Sequence, residues 1–342
     1  MQQNDNMTTT IAQIQKTSGM IPYISPVSGR PLSCNEKYWQ TDDGSERYEI
    51  INGIVRFVPS DNYAEAFGLQ WNTYKKIQLD SYTGKNYSAE RLQRCLGFPL
   101  ENLRGLTVLE AGCGPGRFTE LLVKYGALTH SFDLSHAVDA NMENIGRREN
   151  YQIAQADIYA IPYPDEAFDV VCCLGVIQHT PDPEKTIASL WKKVKPGGWL
   201  VIDHYRWRWA YYSTLKPLYR FVLVRLKPAL AKRIIDALVD FFFPIQWHVR
   251  RWRALHQFIN RFSPLIVHYY DFPGHTRELY HEWAKMDTMD STTDRYKHLR
   301  TKEQIRHTLA QLGGSEIWVQ EGGNGIEARA KKPITSVLYQ HQ

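Results

Sequence analysis

The chain has 342 residues, 43% hydrophobic and 23% charged, with a formal net charge of +5. That size holds one large α/β domain with an accessory module, and the apolar content excludes global disorder. Five cysteines without a CxxC pair argue against a disulfide framework, the Gln/Thr-rich start lacks a secretory signal, and no uncharged apolar run reaches a membrane-spanning length of ~18–20 residues, so a cytoplasmic protein is expected.

Residues 1–20 read as a flexible tail. Residues 21–60 read as a small β module, because the alternating pieces Arg47–Ile51 and Gly53–Val58 meet through Asn52-Gly53, a strong hairpin signal. In 61–94, Tyr63, Phe67, Trp71 and Tyr74 recur at three- and four-residue steps and predict a helix with one apolar face. Such a helix either packs on the main sheet or covers a ligand opening.

From residue 106 strands and helices alternate. Strand 107–111 runs into Gly112, Gly114 and Gly116 and a helix over 118–125. Strand 128–133 ends in Asp133, a helix starts at Ser135, and strand 153–157 ends in Asp157. The apolar strand 168–174, a helix over 186–194, a turn at Lys195-Pro196-Gly197-Gly198 and strand 199–202 follow, with closing strands at 315–319 and 325–330. This rhythm predicts a doubly wound, mostly parallel seven-stranded sheet over 61–204 and 299–335, whose ligands sit beyond the carboxyl ends of the strands. Residues 205–298 break the rhythm and predict an inserted, basic and aromatic helical cap. Within 204–268 twelve Lys and Arg stand against two Asp, so the rest of the chain is net acidic.

The glycines after strand 107–111 let the backbone take conformations closed to other residues and let a ligand approach the main chain. Their spacing is G-x-G-x-G, and Arg117 stands where a dinucleotide fingerprint needs its third glycine. Glu110, at the strand end, would repel a pyrophosphate. These residues favour a cationic nucleoside ligand over NAD.

The segment 106–204 resembles the class I, Rossmann-like methyltransferases that use S-adenosylmethionine. The resemblance rests on Val108 to Gly116, Asp133, Ala156-Asp157 with Ile161-Pro162-Tyr163, Asp165, Phe168-Asp169-Val170-Val171, and Lys195 to Gly198. It implies backbone room for the methionine portion at Gly112, Cys113, Gly114 and Gly116, with Glu110 holding the ammonium. It implies that Asp133 and Leu134 meet the ribose, that Asp157 and Ile158 meet the adenine, and that Leu174 and Gly175 offer carbonyls near the methionine end. Asp169 reads as structural. Residues 21–60 also resemble the zinc-ribbon-like leader ahead of some bacterial methyltransferases. Ser25 and Ser28 stand where its knuckle cysteines would be and only Cys34 remains, so no metal is expected.

Methyl transfer to an oxygen benefits from a base near neutral pH. His179, after strand 168–174, and His204, after strand 199–202, are the candidates, each with a bland alternative as a loop histidine. The expected partner is a small-molecule acceptor, a sugar or specialised metabolite. The cap reads as a solvated charged face over a packed lid, as an attractor for an anionic acceptor such as a phosphorylated sugar, or as a membrane contact that implies a lipid-linked acceptor. Nucleic acid is not expected, and a non-catalytic cofactor-binding scaffold stays open.

Overall fold

A computed structural model describes residues 19–59, 61–270 and 272–334. Residues 1–18 of the expected tail lie outside the described residues, and Met20 is buried. Four short strands come first: β1 (Ser33–Cys34), β2 (Tyr38–Gln40), β3 (Arg47–Ile51) and β4 (Ile54–Arg56). Asn52 and Gly53, with φ of 55° and 79°, turn β3 into β4, as a two-residue hairpin with positive φ at both positions does.

Helices α1 (Glu65–Thr73), α2 (Asp80–Thr83) and α3 (Tyr87–Leu96) lead to β5 (Thr107–Ala111). Then α4 (Thr119–Lys124), β6 (Leu128–Asp133), α5 (Ala137–Ile145), β7 (Tyr151–Gln155), β8 (Phe168–Cys173), α6 (Pro183–Lys193) and β9 (Val194–His204) follow. The inserted stretch carries α7 (Trp209–Tyr212), α8 (Lys216–Leu223), α9 (Pro228–Val249), α10 (Arg253–Asn260) and α11 (Arg277–Thr293). Helix α12 (Lys302–Gln311) and strands β10 (Ser315–Gly322) and β11 (Gly325–Lys331) close the domain.

The strands form one sheet in the order β1-β2-β3-β4-β7-β6-β5-β8-β9-β11-β10. The run from β7 to β10 is the expected doubly wound sheet, with β7, β6, β5, β8 and β9 parallel and β11 antiparallel to both β9 and β10. The expectation of seven strands is corrected to eleven, because β4 pairs in parallel with β7 through Val55 and Ala154. Without β4, strand β7 would present an open hydrogen-bonding edge. Ile54, Val55 and Arg56 are all buried in that pairing, and the Arg56 guanidinium donates to Gln155 Oε1 at 3.2 Å and pairs with Asp139 at 2.6 Å. The N-terminal β segment is therefore an extension of the main sheet. Its Ser25–Ser28 turn is held by hydrogen bonds: Ser25 Oγ accepts from the Val27 and Ser28 N–H groups at 3.1 Å each and donates to Glu46.

Strand β9 is longer than the expected 199–202. It runs continuously from Val194 to His204 and carries the expected Lys195–Gly198 turn as a bulge, where Gly197 has a φ of 83° and the stretch Val194 to Trp199 faces Phe168 to Val170. Both faces of the central strands are buried, and neighbours alternate between them. Leu109, Val171, Cys173, Leu200 and Ile202 pack into one core, whereas Val108, Val170, Cys172 and Val201 pack with Leu92, Leu96 and Leu122 into the other.

The cap has a core of its own, built from Leu223, Ala231, Ile235, Val239, Phe243, Tyr280, Ala284 and Met289. Helix α1 joins it to the sheet domain. Leu69 packs on the cap core, and on the other side Gly68 lies so close to α5 that a Cβ would sit 3.2 Å from the His136 nitrogen. Among the described residues no helix is long and apolar enough to cross a membrane.

Asp169 clamps three strands at the end opposite the glycine turn. Its carboxylate accepts from the Thr107 N–H at 2.8 Å, the Thr107 hydroxyl at 2.6 Å and Lys195 Nζ at 3.0 Å. Burial pushes its pKa up, but the Thr107 hydrogen bonds and Lys195 outweigh that and hold it below the usual carboxylate value. Asp169→Ala is expected to lower the unfolding free energy by about 1–3 kcal/mol in urea titrations at pH 7. A carboxyl depressed in the folded state stabilises above its unfolded pKa of about 4, so the deficit shrinks as pH falls below that value.

Candidate functional site

The site forms where β5 ends. The next residues must turn sharply towards α4, and Gly112, Gly114 and Gly116 do so with φ of 72°, 50° and 103°. Gly112 is the most constrained: a Cβ there would meet Val176 Cγ2 at 2.3 Å. At Gly114 a built Cβ would rest in ordinary contact against the Trp71 ring, with Nε1 at 3.7 Å. Two asparagines of α5 hold the loop from outside. Asn141 Nδ2 donates to the Gly114 carbonyl at 3.2 Å, and Asn144 Nδ2 donates to the Pro115 carbonyl at 2.8 Å.

Asp133, at the end of β6, ties the turn to the neighbouring strand. Its Oδ2 accepts from the Gly114 N–H at 3.0 Å, and its Oδ1 accepts from the Ser135 N–H at 2.8 Å and the Ser135 hydroxyl at 2.7 Å. Burial raises its pKa, against these hydrogen bonds. Two carboxylate oxygens offer about four acceptor sites, so one remains for a ligand hydroxyl.

A cavity of about 1080 Å³ opens over this turn. Gly112, Cys113, Gly114, Asp133, Leu134, Ile158, Leu174 and Gly175 line it, together with Ala156. Gly116 and Asp157 do not line it. The Asp157 carboxylate is turned back onto the Tyr159 N–H at 2.9 Å. Gly175 is fixed by the buried Asp203, whose Oδ1 accepts its N–H at 2.6 Å. The volume exceeds the roughly 300–1,000 Å³ of ordinary small-molecule sites and leaves room for two ligands side by side.

Glu110 lies behind the loop, outside the cavity wall. It is 4% exposed, and its Oε2 accepts from the Thr119 hydroxyl at 2.6 Å and the Ser131 hydroxyl at 2.8 Å. Burial pushes its pKa up to about 7, against those two hydrogen bonds.

Of the two histidines, the structure brings one to the cavity. His179 lines it, with the ring Nδ1 3.2 Å from Asp294 Oδ2 and 3.3 Å from the Tyr296 carbonyl. Its buried Nε2 has no hydrogen-bond partner among the described residues. Asp294, fully buried at the end of α11, also pairs with Arg220 at 2.7 Å and Lys297 at 3.1 Å. Burial alone would raise its pKa, but Lys297, the His179 hydrogen bond and Arg220 hold it below the usual value. His204 is buried and outside the cavity wall, its Nδ1 3.0 Å from the Tyr205 carbonyl. The strand's period of two gives it the same parity as Leu200 and Ile202, which face the core.

Several lining residues were not expected at the site from the sequence. Arg91, on α3, reaches across to ion-pair with Asp203 and lies 3.7 Å from Glu327. The Arg117 guanidinium donates to Ser88 Oγ at 2.9 Å, and burial pushes its pKa down to about 10. At the cap end, Tyr205 donates to Asp290 at 2.9 Å, Asp287 is pushed up to about 7 by burial, and Lys216 is pushed down to about 8 by burial. Helical spacing could have marked Asp287 and Asp290 as one face of α11, but nothing local says that this face meets the glycine turn.

Comparison with known proteins identifies the centre of the chain. Residues 109–202 match a family model described as "Methyltransferase domain". The ubiquinone biosynthesis O-methyltransferase of Thiobacillus denitrificans is 36% identical over 105 residues, 30% of this chain and 45% of that protein. Its namesake from Coxiella burnetii is 33% identical over 105 residues, covering 30% and 44%. The matched segment thus spans under half the length of these relatives. Among solved structures, the magnesium protoporphyrin IX methyltransferase of Synechocystis, with bound S-adenosylmethionine, is 13% identical over 79% of this chain and 92% of that one, with a TM-score of 0.41.

The Glu110 environment has a measurable signature. The folded state keeps a proton on this carboxyl up to about pH 7, whereas the unfolded chain releases it near pH 4.5. Stability therefore falls as pH rises through that window, and Glu110→Gln removes the dependence. The melting-temperature difference, variant minus wild type, is expected to grow between pH 5 and pH 7.5 without ligand, reaching the equivalent of a few kcal/mol.

Proposed function

We propose that this protein, whose residues 109–202 are a methyltransferase domain, transfers the methyl group of S-adenosylmethionine to an oxygen of a small-molecule acceptor. The observation that carries the reading is the single cavity joining the glycine turn and Asp133 to the polar side chains of the cap. The residues present fit this cofactor. Gly114 borders the cavity without a side chain, Asp133 keeps acceptor capacity for a ribose hydroxyl, and Ile158 supplies an apolar surface for a base. Leu174 and Gly175 border the same space, and Glu110 contributes negative charge from behind the turn once it ionises near pH 7. Arg117 at the position of a third glycine speaks against a dinucleotide.

When bound, the cofactor supplies an electrophilic methyl group on a sulfonium. The chain's own task is to align an acceptor hydroxyl with it and to take the hydroxyl proton. His179 suits the second role. Asp294 and the Tyr296 carbonyl hold Nδ1 as the donor, which leaves Nε2 as the free acceptor and stabilises the imidazolium that forms. Transfer to oxygen is supported by the name O-methyltransferase borne by the relatives; a sugar or specialised metabolite is the acceptor class of this reading. A lipid-linked acceptor is favoured by one specific observation, the outward-facing apolar side chains of the cap.

The test uses labelled S-adenosylmethionine with candidate acceptor extracts. His179→Ala is expected to lower turnover by about 10²–10⁴-fold while S-adenosylhomocysteine affinity stays near wild type. Near-wild-type turnover would remove His179 from the base role. Cofactor binding without transfer to any extract would leave a binding scaffold in its place.

A further inference from the structure

The cap turns apolar side chains outward as well as inward. Helix α8 buries Leu223 but leaves Leu218, Phe221 and Val222 at 59, 59 and 52% exposed, a stripe at i, i+3 and i+4. Helix α10 buries His256 and exposes Leu255 and Phe258, with the exposed Phe262 one turn further on. The two stripes are neighbours. The Leu215 N–H donates to the Arg261 carbonyl at 2.8 Å, and the Tyr219 hydroxyl donates to the Phe262 carbonyl at 3.3 Å. Trp209, 75% exposed, and the exposed Tyr212 precede α8 on the same segment. A grouping of large apolar side chains on this scale marks an interaction site.

Charge identifies the partner. Between residues 205 and 262 eight Lys and Arg are exposed, and the sole exposed acid among the described residues there, Asp240, is already paired with Lys285 at 2.9 Å and His281 at 2.8 Å. Arg225 lies over the Phe221 ring at 3.7 Å, and Arg261 adjoins Phe262, so cations sit at the edges of both stripes. A second copy of the same face would bring like charges together. An anionic lipid surface offers both an apolar layer and phosphates at the required depth.

We propose that the face formed by α8 and α10 docks the protein on an anionic phospholipid bilayer. Phe221, Leu218, Val222 and Phe258 enter the boundary between headgroups and acyl chains, and Arg225, Lys227, Arg253 and Arg261 meet the phosphates. Arg208, Tyr211 and Lys216 line the cavity and alternate in sequence with the exposed Trp209, Tyr212 and Leu218. The cavity therefore opens beside the docked face, and an acceptor with a lipid tail reaches it from the bilayer. Only this last step rests on the methyltransferase reading.

The test is co-sedimentation of the full chain with vesicles of phosphatidylglycerol and phosphatidylcholine, and with pure phosphatidylcholine, at low and high salt. Binding to the anionic vesicles is expected to exceed binding to the neutral ones by tenfold or more and to weaken with salt. Phe221→Ser combined with Phe258→Ser is expected to reduce it by about tenfold or more, and Arg225→Glu with Arg261→Glu to do likewise. Both pairs are exposed, so melting temperatures should stay near wild type. Failure to bind anionic vesicles at any salt overturns the proposal, as does equal binding by the serine pair. A concentration-dependent dimer abolished by the same serine pair would assign the face to a second copy instead. S-adenosylhomocysteine titration of each variant keeps the two readings apart, because the docking variants should bind it normally.

Discussion

Everything in this molecule that faces a ligand depends on the passage from β5 to α4. Gly112 crosses beneath Val176 with no space for a side chain, and the chain must then reverse within a few residues. Asp133 makes the turn rigid by accepting the Gly114 N–H, and Asn141 and Asn144 hold its carbonyls. Carboxylate hydrogen bonds in a buried setting are among the stronger individual contacts. They hold the main chain open beside a cavity instead of letting the turn collapse into it.

That part of the fold was legible because its causes are local. A strand buried on both faces reads as a continuous apolar run, and a turn at positive φ demands glycine, so 107–116 announces itself. Asp133 at a strand end follows from the same reasoning. The union of β4 with β7 was not legible, since a three-residue strand pairing across nearly a hundred residues leaves no periodic trace. For the same reason nothing local placed Arg91 and Asp287, brought from α3 and α11, at the cavity. His204 is a different case. Continuing the alternation of Leu200 and Ile202 by one step places it with the core, and only the early end assumed for that strand hid this.

The two halves of the cavity are held in different ways. The glycine end is braced within the sheet domain, through Glu110 with Thr119 and Ser131 and through Asp203 with Gly175. The cap end is braced across the boundary, where Asp294 of the α11 terminus gathers His179, Arg220 and Lys297 around one buried carboxylate. Removing one partner from such a group leaves an uncompensated buried charge, so the cap and the histidine are coupled energetically. The site is complete only with the cap in place. This gives a physical reason for the insertion that is independent of which acceptor it admits.

The central claim is that the glycine turn cradles a sulfonium nucleoside and not a dinucleotide. Isothermal titration of the full chain with S-adenosylhomocysteine, and separately with NAD, tests it directly. The account predicts one S-adenosylhomocysteine site per chain, weakened about 10–100-fold by Asp133→Ala, and no heat with NAD. Binding of NAD with no response to S-adenosylhomocysteine would contradict it.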